Sequence, residues 1–509
     1  MVALLLGAAL AGCVDNDVPG TPLSATVGPA APPAYTWPAP IAYDGLGNAV
    51  ALPASMAGLD ALPVGVEMLT GGGIGEPNLG VTKSGRVFVT TGDDLRASDD
   101  QGRNWEVVWD FVTPNYPRTD DVFGTSDPMM WVDTDTDRVF VNHMHPGLVC
   151  TYMAWSDKDG EPGTWTERPM DCGVPVLDHQ KVMTAPPGPN TPPVVPAGVA
   201  YPNVLYMCVN KLRYGTWCAV SLDGGLSFAY DRQIHPGEKT CGSINGHPAA
   251  FPDGTVAVAL GNLGTRCDRP LTVVVTEDSG LTWESRMCAP DVSQVEIDAD
   301  ITVTPDGTAY LLFRDVDELV YLARTKDKFE TCDVFRVAPA DHTLDVFTGI
   351  TSGDDGRLAM SYLGTRDPQT GNDPDPSEAT LGTHWHAFVT VTEDADAEVP
   401  TFVTTQVTPE EDPVQVGCVW LGGGGGGPAR CRNLLDFIDM VHDADGRWYV
   451  AITDGCVPRN GCTGTPDSSD FQSRDSEVGI IVQDRGRSLF ADKGVLPSLG
   501  LEPPRPLPR

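Results

Sequence analysis

The chain has 509 residues, 41% hydrophobic and 7% aromatic, so it can bury a sizeable core and is not disordered as a whole. Its 55 glycines and 45 prolines favour many turns over long helices. Acidic residues outnumber basic ones by 70 to 33, and the formal net charge is -37. Such a surface repels phosphate, which excludes nucleic-acid binding and docking on anionic lipid through a basic face.

The N-terminus is an apolar run that ends in Leu10-Ala11-Gly12-Cys13. It is too short to span a bilayer but fits the hydrophobic part of a signal peptide. The last four residues resemble a bacterial lipobox, and this resemblance implies cleavage before Cys13 and lipidation of its thiol. Val14 stands where a retention signal for the inner membrane has Asp, which favours the outer membrane. An ordinary secretory signal is the alternative, and both readings predict export.

Composition divides the chain into four segments. We predict a signal peptide over residues 1–13, a tether over 14–60, a folded body over 61–490 and a C-terminal tail over 491–509. The tether is rich in Pro and Ala and stays extended, and the tail is rich in Pro. After the run at the N-terminus, the sequence contains no stretch as apolar and as long as a transmembrane helix.

Thirteen cysteines minus Cys13 leave twelve, an even number that favours disulfides in an exported chain. Close neighbours in sequence predict three local bridges. They are Cys208–Cys218, Cys418–Cys431 and Cys456–Cys462. The other six are compatible with Cys150–Cys172, Cys241–Cys267 and Cys288–Cys332, although spacing alone does not fix connectivity.

A turn followed by a strand-like run recurs along the body, mostly at intervals of about 50 residues. The seven copies are Lys83–Val89, Asp135–Val141, Tyr201–Met207, Pro252–Val258, Pro305–Leu311, Asp354–Met360 and Asp445–Val450. Asp-Gly turns suit tight hairpins, and the alternation after them suits strands. This spacing predicts an all-β propeller of seven blades, with six as the alternative. Because the ring has to join its ends, we expect Val64–Leu69 to be the strand that completes the last blade.

A second motif falls later in several repeats and reads S/T-x-D-x-G-x-x-W/F. Its residues are Ser98, Asp100, Gly102 and Trp105; Ser221, Asp223, Gly225 and Phe228; and Thr276, Asp278, Gly280 and Trp283. Ser156–Gly160 followed by Trp165 looks like a damaged copy. The motif resembles the Asp-box, or BNR repeat, of sialidases and related propellers, over roughly residues 65–490. The resemblance implies that these residues support folding, on the face away from the active site.

The same resemblance points to candidate catalytic residues at the mouth of the central channel. Sialidases hold a sugar carboxylate with three arginines, and Arg266, Arg314 and Arg366 recur at similar places in consecutive repeats. Tyr362 or Tyr449 would be the nucleophile, Glu296 its partner and Asp127 the acid. Glu76-Pro77-Asn78-Leu79 stands where the family has Arg-Ile-Pro, and ion pairing with acids such as Asp315 or Asp367 is the alternative for the arginines.

The mouth also carries candidates for metal binding. They are His143, His145, His179 and His247, for which the alternative is a hydrogen bond within a loop. Acidic residues there are compatible with calcium through Asp127, Asp298 or Asp300. No cofactor is required by any motif in the sequence.

We therefore carry three hypotheses for an exported protein that we expect to be monomeric. In the first, a lipid-anchored propeller recognises a glycan or a protein at its central mouth without chemistry. In the second, it is an exo-glycosidase of the sialidase type that acts on acidic sugars. In the third, it is a structural scaffold of the cell envelope. The first ranks highest because the repeats predict a scaffold, whereas the catalytic signature is incomplete.

Overall fold

Strands make up nearly all of the regular structure in the computed structural model. The structure describes residues 35–73, 76–113, 122–123, 126–145, 150–172, 177–193, 201–211, 215–236, 242–263, 270–369, 375–380, 382–419, 434–457, 462 and 476–502. Within these residues the helices are single 3-10 turns at Ala54–Met56, Pro376–Glu378 and Ala491–Lys493. None of them is long or apolar enough to cross a membrane.

The strands of the first half of the chain belong to three blades and their flanking elements. They are β1 (Ile41–Asp44), β2 (Val64–Leu69), β3 (Leu79–Val81), β4 (Val87–Thr90), β5 (Asp94–Ser98), β6 (Glu106–Asp110), β7 (Val112–Thr113), β8 (Val122–Phe123), β9 (Ser126–Asp133), β10 (Arg138–Met144), β11 (Cys150–Ser156), β12 (Thr166–Cys172), β13 (Leu177–Ala185), β14 (Val204–Lys211), β15 (Gly215–Ser221) and β16 (Tyr230–His235).

The strands of the second half build four further blades. They are β17 (Gly242–Ala250), β18 (Val256–Leu263), β19 (Pro270–Thr276), β20 (Glu284–Ser293), β21 (Asp300–Val303), β22 (Ala309–Arg314), β23 (Val320–Thr325), β24 (Asp333–Arg336), β25 (Leu344–Ser352), β26 (Leu358–Thr365), β27 (His384–Thr392), β28 (Thr401–Gln406), β29 (Gln415–Val416), β30 (Asp439–His442), β31 (Trp448–Asp454), β32 (Glu477–Arg487) and β33 (Val495–Leu496).

Seven antiparallel sheets follow one another along the chain, as the repeat predicts. Blades 1 to 6 are β3–β6, β9–β12, β13–β16, β17–β20, β21–β24 and β25–β28, and blade 7 is β30–β32 with β2. The inner strand of each blade contacts the inner strands of both neighbouring blades, including β30 with β3. The ring is therefore closed, and the fold is a seven-bladed β-propeller.

The turn between the first and second strands shows why these repeats fold into hairpins. Gly254 and Gly307 have φ angles of 83° and 84°, which suit glycine. At Gly254 a Cβ would also lie 2.4 Å from the Pro187 carbonyl oxygen. The strands that follow are buried on both faces: every residue of Val204–Lys211 and of Leu358–Thr365 is buried. Their apolar side chains fill the spaces between adjacent blades.

The ring is closed by a strand from the N-terminal side of the body. Val64–Leu69 pairs antiparallel with β32, from Val64 opposite Arg485 to Leu69 opposite Gly479. The sequence predicts this closure, and it is confirmed. Because the first and last parts of the body share one sheet, blade 7 has no unpaired edge on this side.

Parts of the predicted tether and tail differ from the expectation and pack against the propeller. Ile41–Asp44 adds a strand to blade 6 by pairing with β28, and the Tyr43 hydroxyl contacts the Val337 carbonyl and Thr404 Oγ1. In the tail, Val495–Leu496 pairs with β32. Short apolar runs within Pro-rich sequence account for both, because composition averaged over a segment conceals them.

The predicted disulfides Cys208–Cys218 and Cys456–Cys462 are present. Cys288–Cys332, a pairing that the sequence leaves open, is present as well. Cys150 and Cys418 are also disulfide-bonded. Cys241, Cys267 and Cys431 lie outside the described residues, as do Cys13 and Arg266. Several disulfides in one chain are characteristic of an extracellular or periplasmic protein.

The turns predicted as Asp-boxes share one hydrogen-bond pattern. In the first, Ser98 Oγ donates to Asp100 Oδ1 at 2.9 Å and accepts from the Gly102 amide at 2.8 Å. The turns that begin at Ser221 and Thr276 repeat both bonds. The aromatic residues Trp105, Phe228 and Trp283 pack against the cores between neighbouring blades. These contacts are those of residues that support the fold.

Candidate functional site

The inner strands surround a central channel with two chemically different ends. One end is formed where the inner strands begin, and it is rich in charged side chains. The other is formed where they end, and it opens on the face with the turns from strand one to two and from strand three to four. Both sets of turns share a face because the first and third strands of an antiparallel blade run in the same direction.

A cavity of about 600 Å³ lies in the channel at the end where the inner strands finish. Its wall combines apolar and aromatic side chains such as Met129, Trp131 and Phe490 with polar groups such as Asp133 and His442. The sequence predicts a ligand site at the opposite mouth, and this stays a prediction. The cavity itself could not be predicted, because sequence shows which residues begin each inner strand but not where the side chains leave space.

At its deep end the cavity meets Asn78, His247, Asp300 and Asp439, which we call the floor group. Asn78 Nδ2 donates to Asp439 Oδ2 at 2.6 Å and lies 3.3 Å from His247 Nε2. Asp300 Oδ2 accepts from the Ile350 amide at 3.0 Å.

Burial sets the protonation of the floor group. It raises the pKa of Asp439 to about 6 and, together with the nearby Asp439 charge, holds the pKa of Asp300 well above its ordinary value. Burial also lowers the pKa of His247 well below its ordinary value, and the charges of Lys181 and His179 act in the same direction. His247 is therefore neutral at physiological pH, and the floor group holds protons more readily than exposed carboxylates do.

Beyond the floor lies a fully buried ion pair that sequence reasoning missed. Lys181 Nζ contacts Asp298 Oδ2 and lies 3.7 Å from the centroid of the Phe437 ring. The Lys181 side chain is 0% exposed. A lysine in a strand reads from sequence as an exposed residue, and only the closure of the ring shows that this strand lines the channel.

Carboxylates from several blades surround His179 next to this pair. His179 Nε2 lies 3.5 Å from Asp436 Oδ2, and the His179 amide donates to Asp127 Oδ2 at 3.0 Å. Glu76 and Asp178 complete what we call the His179 group. Burial would raise the pKa of Asp127, but hydrogen bonds with Glu76 and Asp178 and the nearby His179 outweigh it and lower this pKa to about 2.

Of the predicted arginine clamp, Arg314 is buried in ion pairs. Its Nε lies 2.7 Å from Glu296 Oε2, and its Nη1 contacts Glu318 Oε2. Glu296 is thus the partner of Arg314. Arg366 lies instead on blade 6, where its Nε is 2.8 Å from Asp341 Oδ2 and its Nη1 donates to Gln406 at 2.7 Å. The partners differ from Asp315 and Asp367, the acids named from sequence.

The two candidate tyrosines lie in the cores between blades. Tyr362 is fully buried, and its hydroxyl is 3.2 Å from Thr390 Oγ1. Burial raises its pKa well above the ordinary value, with the nearby Tyr43 and Asp345 adding to the effect. Tyr449 donates to Asp443 at 3.1 Å. Asp127, the candidate acid, belongs to the His179 group, so the structure does not bring the candidate nucleophile, its partner and the acid into one hydrogen-bonded set among the described residues.

The four candidate histidines separate into two sets. His143 Nε2 lies 2.6 Å from Glu167 Oε1, and its ring stacks between Phe111 and Tyr152. Within the described part of the chain, the groups with metal-ligand spacing include His179 and His247 but neither His143 nor the buried His145.

The molecule defined by this geometry is a seven-bladed propeller with a polar channel. No family model matches the sequence. No curated protein matches it either.

Several solved structures are similar to this chain in fold. A protein of unknown function from Dyadobacter fermentans is 13% identical, with 83% of this chain and 99% of that chain covered and a TM-score of 0.41. The alpha-L-arabinanase of Penicillium chrysogenum is 12% identical, with 59% and 93% covered and a TM-score of 0.39. The sialidase of Trypanosoma rangeli is 11% identical, with 73% and 56% covered and a TM-score of 0.39.

Proposed function

We propose that the protein is an exported, lipid-anchored propeller that recognises a glycan or protein ligand in its central channel and performs no chemistry on it. The observation that carries this proposal is the channel cavity of about 600 Å³. A concave site of this size, mostly apolar with a few fixed polar groups, is the usual form of a ligand site.

The wall of the cavity offers the contacts that such ligands use. The Trp131 indole donates to Thr184 Oγ1 at 2.8 Å, which fixes the ring at the channel wall. His442 Nδ1 lies 2.7 Å from Thr351 Oγ1, and the His442 ring packs edge-on against Phe490. Fixed aromatic rings suit the apolar face of a sugar or a peptide side chain, because little conformational entropy is lost on binding.

The partners of the candidate catalytic groups support binding over hydrolysis. Arg314 is held by two buried carboxylates, and Tyr362 by a threonine between two blades. A nucleophile needs an adjacent base, and a carboxylate clamp needs guanidinium groups that face the ligand. Hydrolysis of acidic sugars remains the alternative, and a purely structural role is the third.

We also propose that Cys13 carries a lipid anchor and that the exported protein is a monomer. The disulfides support an extracellular or periplasmic location. Cys13 lies outside the described residues, so this part of the proposal depends on the lipobox-like sequence. Mass spectrometry of the membrane-extracted protein tests it: the N-terminal peptide should begin at Cys13 and carry acyl chains.

Glycan and peptide arrays probed with the purified protein test the recognition itself. We expect selective binding that is reduced at least about tenfold by Phe490→Ala, because one of the aromatic side chains in the cavity wall is lost. Leu226→Ala is the matched control, since Leu226 is 56% exposed and lies in a turn on the same face. Turnover of a fluorogenic α-sialoside by the wild-type protein would favour the glycosidase. An absence of both binding and turnover would favour the scaffold.

A further inference from the structure

The His179 group gathers metal-ligating side chains from four blades. Glu76 precedes blade 1, Asp127 lies in blade 2, His179 in blade 3, and Asp436 precedes blade 7. Glu76, His179 and Asp436 each offer one ligand atom, and these atoms lie within 4.8 Å of one another. Asp127, Asp178 and His179 meet the same criterion. His179 is therefore common to two sets of oxygen donors.

The ring nitrogens of His179 are incompletely hydrogen-bonded among the described residues. Its side chain is 1% exposed, and Nδ1 has no hydrogen-bond partner within the described part of the chain. The other ring nitrogen, Nε2, lies 3.5 Å from Asp436 Oδ2, at the outer limit for a hydrogen bond. Buried polar atoms are almost always satisfied by protein, water or an ion. A buried imidazole with one unsatisfied nitrogen, in a group with several carboxylates, indicates a bound species at this point.

In the floor group, His247, Asp300 and Asp439 have ligand atoms as close to one another as those of the His179 group, but the hydrogen bonds differ. Asn78 Oδ1 accepts from the Met130 amide at 2.6 Å, so its Nδ2 is the donor that faces His247 Nε2 at 3.3 Å. A neutral His247 that accepts at Nε2 carries its proton on Nδ1, which is the nitrogen nearer to Asp300. A protonated nitrogen is not a metal ligand, so the floor group is the weaker of the two sites.

We propose that the propeller channel binds one divalent transition-metal ion of the Zn²⁺ type through His179, Glu76 and Asp436, with Asp127 and Asp178 as further oxygen donors. Ligand atoms on such an ion lie roughly 3 to 3.5 Å apart, so side-chain shifts of about 1 Å suffice. One imidazole among carboxylates favours a transition metal over Ca²⁺, which prefers oxygen ligands alone. The proposal is independent of the recognition function.

Calorimetric titration of the chelator-treated full-length protein with ZnCl₂ and with CaCl₂ tests the site. We expect one Zn²⁺ per chain, weaker binding of Ca²⁺, and a rise in melting temperature with Zn²⁺. His179→Asn should weaken Zn²⁺ binding at least about tenfold. Asn is the suitable replacement because His179 has a φ angle of 48°, which Asn tolerates.

Two further variants make the result specific. Asp436→Asn retains the shape of the side chain and should also weaken Zn²⁺ binding, whereas His247→Asn in the same channel should leave it unchanged. X-ray absorption of the Zn²⁺-loaded wild type should show a single imidazole ligand, which tests the proposal even if a variant does not fold. The proposal would be overturned by an absence of stoichiometric Zn²⁺ binding, by wild-type affinity for Zn²⁺ in both His179→Asn and Asp436→Asn, or by a loss of binding only in His247→Asn.

Discussion

Arg314 shows how burial decides the role of a residue whose type suggests catalysis. Its guanidinium is almost fully buried between Glu296 and Glu318, at a seam that also includes the Asp345 carbonyl oxygen, 3.4 Å from Nη1. A charge in such a place is retained only with close partners. The side chain therefore contributes to the folded state, whereas Arg366 is about 29% exposed and pairs with an exposed acid.

Replacement of the two arginines should separate these roles. Arg314→Met leaves two buried carboxylates without this counter-ion, and we expect it to lower the free energy of unfolding by about 3–5 kcal/mol. Arg366→Met removes an exposed pair and should cost less than about 1 kcal/mol. Urea denaturation measures both. A similarly small loss of unfolding free energy in both variants would mean that Arg314 does not form the buried ion pairs with Glu296 and Glu318.

Glu67 is a residue whose ionisation opposes folding. Its Oε1 lies against Gly479, where a Cβ would be only 2.6 Å away, and that oxygen has no hydrogen-bond partner among the described residues. Burial, with the charges of Asp412 and Glu477 adding to it, raises the pKa of Glu67 from 4.5 to about 8. Burial raises the pKa of Asp412 to about 6 as well. The pKa values of Glu67 and Asp412 are therefore shifted in the same direction.

The sign of the pH dependence follows from this shift. A folded-state pKa above the unfolded value gives stability that is complete below about pH 4.5 and is lost as the pH rises to about 8. Glu67→Gln should thus raise the melting temperature at pH 9 by roughly 1–2 °C and change it little at pH 5. Calorimetry at both values checks this. An equal effect at the two values would show that Glu67 titrates normally.

At the scale of elements, one turn shows why a motif can be missed in sequence. Thr325 Oγ1 donates to Asp327 Oδ1 at 2.8 Å, and the Phe329 amide donates to Thr325 Oγ1 at 3.0 Å, as in the three predicted Asp-box turns. Phe329 takes the place of the glycine, with a φ angle of 69°. The sequence motif is hidden because Phe329, a buried aromatic residue that packs against Phe251, stands at the position where the positive φ angle favours glycine.

The stability that each disulfide contributes should depend on the length of the loop that it closes. Cys288–Cys332 spans 44 residues and joins blade 4 to blade 5, whereas Cys208–Cys218 spans 10 residues within blade 3. Loop-closure entropy predicts that removing the first pair costs about 1.3 kcal/mol more than removing the second. Double Cys→Ala variants compared by urea denaturation test this. A larger loss for Cys208–Cys218 would contradict the entropic account.

The repeats could be predicted from sequence, because each depends on local turn chemistry and on strand-like alternation. Cys208–Cys218 and Cys456–Cys462 could be predicted because each pair is close in sequence. The closing strand Val64–Leu69 could be predicted because a propeller ring has to join its ends. The channel could not be predicted in detail. Lys181 meets Asp298, and His179 meets Asp436, only because ring closure brings residues from distant repeats together. Local spacing carries no information about such contacts.

At the scale of the whole molecule, stability depends on joining the two ends of the ring. Without β2, the edge of β32 would expose a run that includes Ile480, Ile481 and Val482, all buried in the closed ring. Such an edge is a template for association with other chains. Pairing of β2 with β32 therefore both stabilises the folded ring and prevents association through an open edge.

Truncation tests this view of the ring. Removal of residues 1–69 should give insoluble protein or a melting temperature lowered by more than about 10 °C, because the closing strand is lost. Removal of residues 1–34 leaves β1 and β2 in place and should change the melting temperature little. Size-exclusion chromatography and thermal unfolding of the two proteins provide the comparison. A soluble, stable product from the longer truncation would contradict the role given to β2.

The most direct measurement of the central claim is calorimetric titration of wild type, Phe490→Ala and Leu226→Ala with the ligand bound best on the arrays. If the channel cavity is the recognition site, wild type and Leu226→Ala bind with equal affinity, Phe490→Ala binds at least about tenfold more weakly, and the ligand is recovered unchanged. Equal affinity in all three proteins, or conversion of the ligand to product, would contradict a non-catalytic recognition site in the channel.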